Sequence, residues 1–496
     1  MKIFKKLLDA KVSTSYMFIL FGVSALMLAG YFSYAWFTVQ GVQQYSVVTG
    51  TLNGIVAIGS NSVTINGSGV ITYTPSTDND TITLTVTNTN DRTVKNSIYY
   101  YYLSDSSIEI GYTSDSPTIP SETGISVAAG KTLTYKMKIK GANGKQIKIG
   151  SSMGLNNSNL TLPSGTIAFS LLSDPTGAET LVAKANSEDL DYNTATNDQK
   201  NQMWTFLHEE TEQLGATTDY RYIGANPNNY VKFNDELWRI IGVFDTDDGT
   251  GKIEKRLKIV RAEPIGGYSL DNKNTSTGAD SSYGTSDWPN ARLTYLLNEG
   301  HEAEANGGSL YWNRKSGTCY SGSNNATVSC DFSSIGLTDD AKSFIAAAKW
   351  YLGGSSTYDD ITTLILYARE RGNIVYNGRV TNWTGKVGLI YPSDYGYATS
   401  GGTSTERTTC LTSDIYNWGW PSDCSHNDWL VSGSIYWSIS PLTSDSYNGF
   451  RMGYTGGVSY AYAYFNSNVW PTVYLKSTIN ITSGTGSSTD PFILAE

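Results

Sequence analysis

Residues Tyr16 to Phe37 form an uncharged run containing FILFGVSALMLAGYFSYAWF, and Lys2, Lys5, Lys6 and Lys11 all lie before it. The run has about the ~20 residues that a helix needs to cross a bilayer, and is longer than the ~7–15 of a cleavable signal core. Lysines held on the cytoplasmic side commit everything downstream to the exterior. Tyr31, Phe32, Tyr34 and Trp36 fall where amphipathic rings favour the outer headgroup layer, as an anchor requires. Ser33 and Ala35, however, are small residues at the positions a signal peptidase inspects. Two fates therefore stand open: a single-pass anchor through Met17 to Phe37, or secretion after cleavage near Ala35. Residues 1–44 are accordingly read as a cytoplasmic stub and transmembrane signal anchor.

The rest of the chain suits that exterior. Only 16% of its 496 residues are charged, and Gly, Ser, Thr, Asn and Tyr abound. At about 100 to 200 residues per domain, the length allows two to four folded units. A net charge of −10 offers no field to attract a phosphate backbone, so nucleic acid is an unsuitable partner. The cysteines, Cys319, Cys330, Cys410 and Cys424, show no C-x-x-C spacing. Four cysteines allow three pairings; the shortest loops close most easily, which favours Cys319 with Cys330 and Cys410 with Cys424. Such bridges need an oxidising compartment.

Residues 45–175 read as an all-β, immunoglobulin-like sandwich without an inter-sheet disulfide. TITLTVTN places Ile82, Leu84 and Val86 on one face, and KTLTYKMKIK does the same for Leu133, Tyr135, Met137 and Ile139. STDND, TNTNDR, SDSPTIPSE and KGANGK punctuate the strands as turns. In the run Tyr99 to Tyr102, strand alternation sends two rings to the core and two to solvent.

Residues 176–216 read as a linker with a short helix, in which Met203, Phe206 and Leu207 cluster beside Glu209, Glu210 and Glu212. Residues 217–496 read as a mixed α+β domain. It opens with strands in YVKFNDELWRIIGVFD and RLKIVRAEP. Helices are expected in SDWPNARLTYLLN, TDDAKSFIAAAKWYL and DDITTLILYARERG, and strands at the end in VYLKSTINI and PFIL.

RYIGANPNNYVKFNDELWRIIGVF (Arg221 to Phe244), SDWPNARLTYLLN, GLIYPSDYGYA and WPTVYLKSTINITSGTGSSTDPFIL together resemble a class of uncharacterised bacterial surface proteins. These carry a C-terminal C-type-lectin-like domain, distantly like formylglycine-generating enzymes. The resemblance implies a frame bearing long irregular loops that bind a ligand or protein. Neither cysteine pair matches the redox pair of the enzymes. HNDWL at His426 to Leu430 is not the Trp-Asn-Asp triplet of calcium-dependent lectins.

Catalytic constellations are sparse. His208, His301 and His426 are scattered and form no metal or triad motif. Asp287, Glu299, Asp359, Asp360 and Glu370 are candidate acids for glycoside hydrolysis, although helix-start positions also account for Asp359 and Asp360. No cofactor is implied. The segment 434–470 is different: Trp437, Tyr447, Phe450, Arg451, Tyr454, Tyr460, Tyr462, Tyr464 and Trp470 alternate with Ser, Asn and Gly. Rigid rings among small polar residues are the composition of a binding face, and equally of one packed side of a strand. The expectation is a noncatalytic surface protein that binds an extracellular protein or glycan through these rings. The alternatives are a structural envelope protein and, behind it, an extracellular hydrolase.

Overall fold

The computed structural model describes residues 52–77, 79–105, 107–172, 175–274, 283–419 and 422–496. The expected anchor lies outside them; among the described residues no helix is long and apolar enough to cross a membrane. The described residues are mostly β, 39% strand against 12% helix, and the chain divides into two compact units, Met1–Ser173 and Asp174–Glu496.

The first unit is one continuous ladder. Its strands are β1 (Asn53–Ile58), β2 (Asn61–Asn66), β3 (Ser68–Tyr73), β4 (Asn79–Asn88), β5 (Val94–Tyr101), β6 (Glu109–Tyr112), β7 (Ile125–Val127), β8 (Thr132–Lys140), β9 (Ile147–Leu155), β10 (Thr166–Ala168) and β11 (Ser170–Leu171). They run in the order β10-β5-β9-β3-β2-β1-β4-β8-β6-β11, with β7 beside β5. The alternation read in β4 and β8 is the physical basis of the core. The antiparallel register sets Ile82 opposite Met137, Leu84 opposite Tyr135 and Val86 opposite Leu133. All are buried except the half-buried Leu133. Each buried side chain of this size contributes about 1.5–3 kcal/mol, so three such rows hold the ladder in one register.

The tyrosine run departs from simple alternation. Tyr99 is 1% exposed, Tyr100 and Tyr101 are half-buried, and Tyr102, beyond the end of β5, is 68% exposed. Tyr99 is covered by its cross-strand partner: a Cβ on Gly150 would meet its ring at 2.1 Å. A missing side chain on one strand thus provides the seat for a ring on the next.

In the second unit the main sheet is built on a long hairpin, β15 (Glu236–Asp247) with β16 (Ile253–Arg261). Before it stands β14 (Tyr230–Phe233), joined to β15 by Asn234 and Asp235, both at positive φ. Asn and Asp tolerate that conformation better than other side chains, which is what a two-residue hairpin turn requires. The sheet continues through β27 (Thr472–Tyr474) and β22 (Val387–Gly388) on one side, and through β29 (Phe492–Ala495) and β28 (Asn480–Ser483) on the other.

The segment 175–216 packs as part of this second unit. Met203 to Leu207 was expected to be helical, but Trp204–His208 is a strand, β12, paired with β13 (Thr217–Arg221). Trp, Thr and Phe favour a pleated surface, and Trp204 and Phe206 alternate inward to burial while Leu207 is 67% exposed. Helix α1 (Gly177–Val182) begins with a Thr176–Glu179 capping box, and α2 (Asn197–Lys200) with a Thr196–Gln199 box.

Further along, α3 (Arg292–Leu297), α4 (Asp339–Phe344), α5 (Thr363–Glu370) and α6 (Pro392–Ala398) follow. The second expected helix is only half helical. Ala348–Tyr351 is a strand, β20, paired with β21 (Asn382–Gly385), and Trp350 is fully buried there with its Nε1 donating to Gly385 O at 3.2 Å. Asp359 and Asp360 lie ahead of α5, whose cap is Thr362. The bridges are Cys319–Cys330 and Cys410–Cys424, the two short loops. The first ties β18 (Ser316–Tyr320) to β19 (Thr327–Asp331).

Candidate functional site

The expected aromatic segment supplies four strands of a five-stranded sheet, β17 (Gly267–Ser269), β26 (Asn466–Asn468), β23 (Tyr436–Pro441), β24 (Asn448–Met452) and β25 (Val458–Tyr462) in that order, the edge strand β17 coming from earlier in the chain. It divides the nine expected residues into two groups. Trp437, Phe450 and Trp470 are 1%, 0% and 8% exposed and belong to the core, which removes them from any binding face. Trp437 Nε1 donates to Tyr268 O at 3.0 Å, and Trp470 packs against Tyr436 at 4.3 Å. Strand parity accounts for Phe450, which shares the inward side of β24 with Met452 while Arg451 between them is half-buried; β23, which carries Trp437, is buried at every position.

The other six remain accessible to different degrees. Tyr454, in the turn between β24 and β25, is 66% exposed. Tyr460 is half-buried against Tyr358 at 4.5 Å. Tyr447, Tyr462 and Tyr464 are half-buried in a stack with two rings that sequence reasoning missed, Tyr283 and Phe465. Tyr283 lies parallel to Tyr462 at 4.6 Å and 11°, and Tyr464 stacks on Phe465 at 4.7 Å. Phe465 is 43% exposed, with the Arg451 guanidinium 5.8 Å from its centroid. Phe465 directly follows the Tyr-Ala-Tyr-Ala-Tyr series and could have been added to it. Tyr283 is distant in sequence, and no local pattern announces it. The assembled face presents ring edges, phenol hydroxyls and one guanidinium, groups that give contact area at little entropic cost.

The candidate acids do not converge on a cleft. Asp287 is buried and accepts from Asn290 Nδ2 at 2.6 Å; Glu299 is exposed and paired with Lys386; Asp359 and Asp360 are exposed. Glu370 is fully buried, and burial pushes its carboxyl up to about 7 against the pull of Arg371 and Ser393.

Glu370 belongs to a charge network absent from the sequence reading. Asp394 holds Arg221 Nη1 at 2.8 Å and Lys258 Nζ at 2.5 Å, and Arg221 Nη2 reaches Asp219 at 2.8 Å. His208 stacks on Tyr367 at 3.8 Å, with Nε2 3.1 Å from Asp219, and burial lowers its pKa. Burial pushes Lys258 down to about 8 although Asp394 resists. Burial opposes ionisation of Asp394, but Lys258 and Arg221 outweigh it and hold the carboxyl below its usual range. Arg221, Lys258 and Arg371 thus balance Asp219, Asp394 and Glu370. The neighbouring cavity of about 10 Å³ has room for roughly one water, not for a sugar ring. Among the described residues no group of three or more His, Cys, Asp or Glu side chains is arranged to hold a metal ion.

Comparison of the chain with protein-family models, with curated proteins and with solved structures finds no match.

Proposed function

We propose that this is a noncatalytic cell-surface protein, held at the membrane through Met17 to Phe37, that binds an extracellular protein or glycan through the aromatic face of its second unit. In this reading the first unit is an immunoglobulin-like spacer. Its single ladder around one apolar core, without a disulfide, supports that role. The second unit is a C-type-lectin-like head, supported by long irregular connections on a frame whose last strand, β29, returns beside β14. The two cystines fit an oxidising exterior.

The observation that carries the binding role is the exposure of Phe465 at the edge of a half-buried stack, together with that of Tyr454 in the turn between β24 and β25. A second reading, a structural envelope protein, draws on the burial of Trp437, Phe450 and Trp470 and on the spending of ring faces on each other. The test is to probe arrays of glycans and of extracellular proteins with the intact chain and with a Tyr454→Ser/Phe465→Ser variant of unchanged unfolding midpoint. Bound signal that collapses in the variant supports the binding role. Signal indifferent to the variant, or none at all, refers the face to architecture.

A further inference from the structure

One arginine of the second unit is unlike the rest. Every other arginine there donates to a carboxylate, a carbonyl or a hydroxyl. Arg451, half-buried on β24, donates to no acceptor among the described residues; its Nε is sealed from solvent, and Nη1 and Nη2 are the atoms that a ligand can reach. Burial lowers the pKa of this guanidinium, and no neighbouring carboxylate counters it. In a chain of net charge −10, a half-buried cation kept clear of acids is a place left open for an anion.

A ring stands beside it. The Arg451 guanidinium lies 5.8 Å from the Phe465 centroid, whereas Arg371 closes on Tyr367 at 3.6 Å and Arg239 on Trp429 at 4.4 Å. Arg451 therefore does not cap Phe465, which stays 43% exposed. The stack fixes the orientation of that ring, which is tilted only 4° from Tyr462 and stacks on Tyr464 at 4.7 Å. A rigid apolar surface and a free two-nitrogen fork thus stand side by side at the edge of the aromatic face.

We propose that the ligand of this face is an acidic glycan, a uronate whose carboxylate takes Nη1 and Nη2 of Arg451 while the C–H face of its sugar ring lies on Phe465. This rests on the binding role proposed above and narrows it. A guanidinium fork matches a carboxylate in two parallel hydrogen bonds, which a single hydroxyl cannot supply. In a uronate the carboxylate is attached directly to the sugar ring, so both contacts fall within the width of one sugar. A neutral sugar would cover Phe465 but leave the charge unanswered. An aspartate or glutamate side chain would answer the charge but leave Phe465 bare.

The test is calorimetric titration of the intact chain with a hyaluronan hexasaccharide and a galacturonate hexamer, each beside its carboxyl-reduced form, and with N-acetyl-triglutamate amide. At least one uronate should bind, and its reduced form should bind about tenfold more weakly. Arg451→Gln should bring the uronate down to the affinity of the reduced form without moving the latter. Phe465→Ser should weaken both forms and preserve their ratio. Acidic and reduced forms that bind alike, or indifference to Arg451→Gln, would overturn the acidic ligand while leaving the aromatic face a binding face. Triglutamate that binds as tightly as the uronate would overturn the choice of a glycan. Binding of no probe overturns the proposal, and the arrays then judge the binding face by themselves. If Arg451→Gln shifts the unfolding midpoint, the acidic-to-reduced ratio and the Phe465→Ser response decide, and a uronate unaffected by Phe465→Ser refutes the assignment.

Discussion

Removing the carboxylate of Asp394 should be far more damaging than removing the lysine that it holds. Asp394 is 1% exposed and serves two buried cations at once, Arg221 and Lys258, besides accepting from Tyr391 N at 3.0 Å. Asp394→Asn keeps the shape but leaves Lys258 without a counter-charge, which costs about 3–5 kcal/mol for a broken buried pair. Lys258→Met instead takes out a cation whose desolvation is already expensive. Asp394 keeps Arg221 as its partner, so the loss should stay below about 2 kcal/mol. The measurement is simple because every tryptophan except Trp36 lies beyond residue 173. Urea unfolding followed by tryptophan emission, without reductant, therefore reports the second unit. Equal losses for the two variants, or a larger loss for Lys258→Met, would refute the view that one carboxylate organises this core.

Other outcomes follow from the same structure. Glu370 has a folded pKa of about 7, above its ordinary value, so its contribution is complete at acid pH and is lost as pH rises through about 7. Glu370→Gln should accordingly gain stability relative to the natural chain at pH 8 and lose that advantage at pH 5, read from unfolding midpoints at both. Replacing Cys319 and Cys330 together by Ser should lower the stability of the second unit by about 3 kcal/mol, and reductant should have no further effect at that bridge. Gly150→Val should destabilise the first unit by about 1–3 kcal/mol by displacing the Tyr99 ring, visible in circular dichroism as an earlier transition that leaves tryptophan emission unchanged. Trp437→Ala should cost about 3–5 kcal/mol, whereas Tyr454→Ser should stay within about 0.5 kcal/mol.

What the sequence made legible was whatever local periodicity and loop length control. The buried faces of β4 and β8, the strands in YVKFNDELWRIIGVFD and RLKIVRAEP and the two cystines belong to that class. The stretch from Met203 to Leu207 misled because Met, Leu and the following glutamates carry helix propensity. The pairing of Trp204–His208 with Thr217–Arg221 and the burial of Trp204 and Phe206 override that weak preference. Ala346 to Leu352 fails for the same reason, with the Trp350 indole anchored on β21. In the aromatic segment, composition identified the rings but not their sides. Every residue of β23 is buried, Trp437 with the rest, Phe450 lies on the inward side of β24, and Tyr283 joined Tyr462 across a separation that no window spans. The ion network was invisible for a similar reason: Arg221, Lys258, Glu370 and Asp394 come from four elements, and their burial is a property of the whole unit.

The return of β29 to the flank of β14 has a temporal meaning. Val231 and Phe492 are neighbours in the sheet although nearly the whole unit separates them along the chain. A polypeptide emerging from its amino end can finish the ladder of the first unit while β14 still waits with an open edge, since closing so long a loop is slow. During that interval the unpaired strand is the place where a neighbouring copy could insert, and helper proteins that shield nascent chains would have most to protect there.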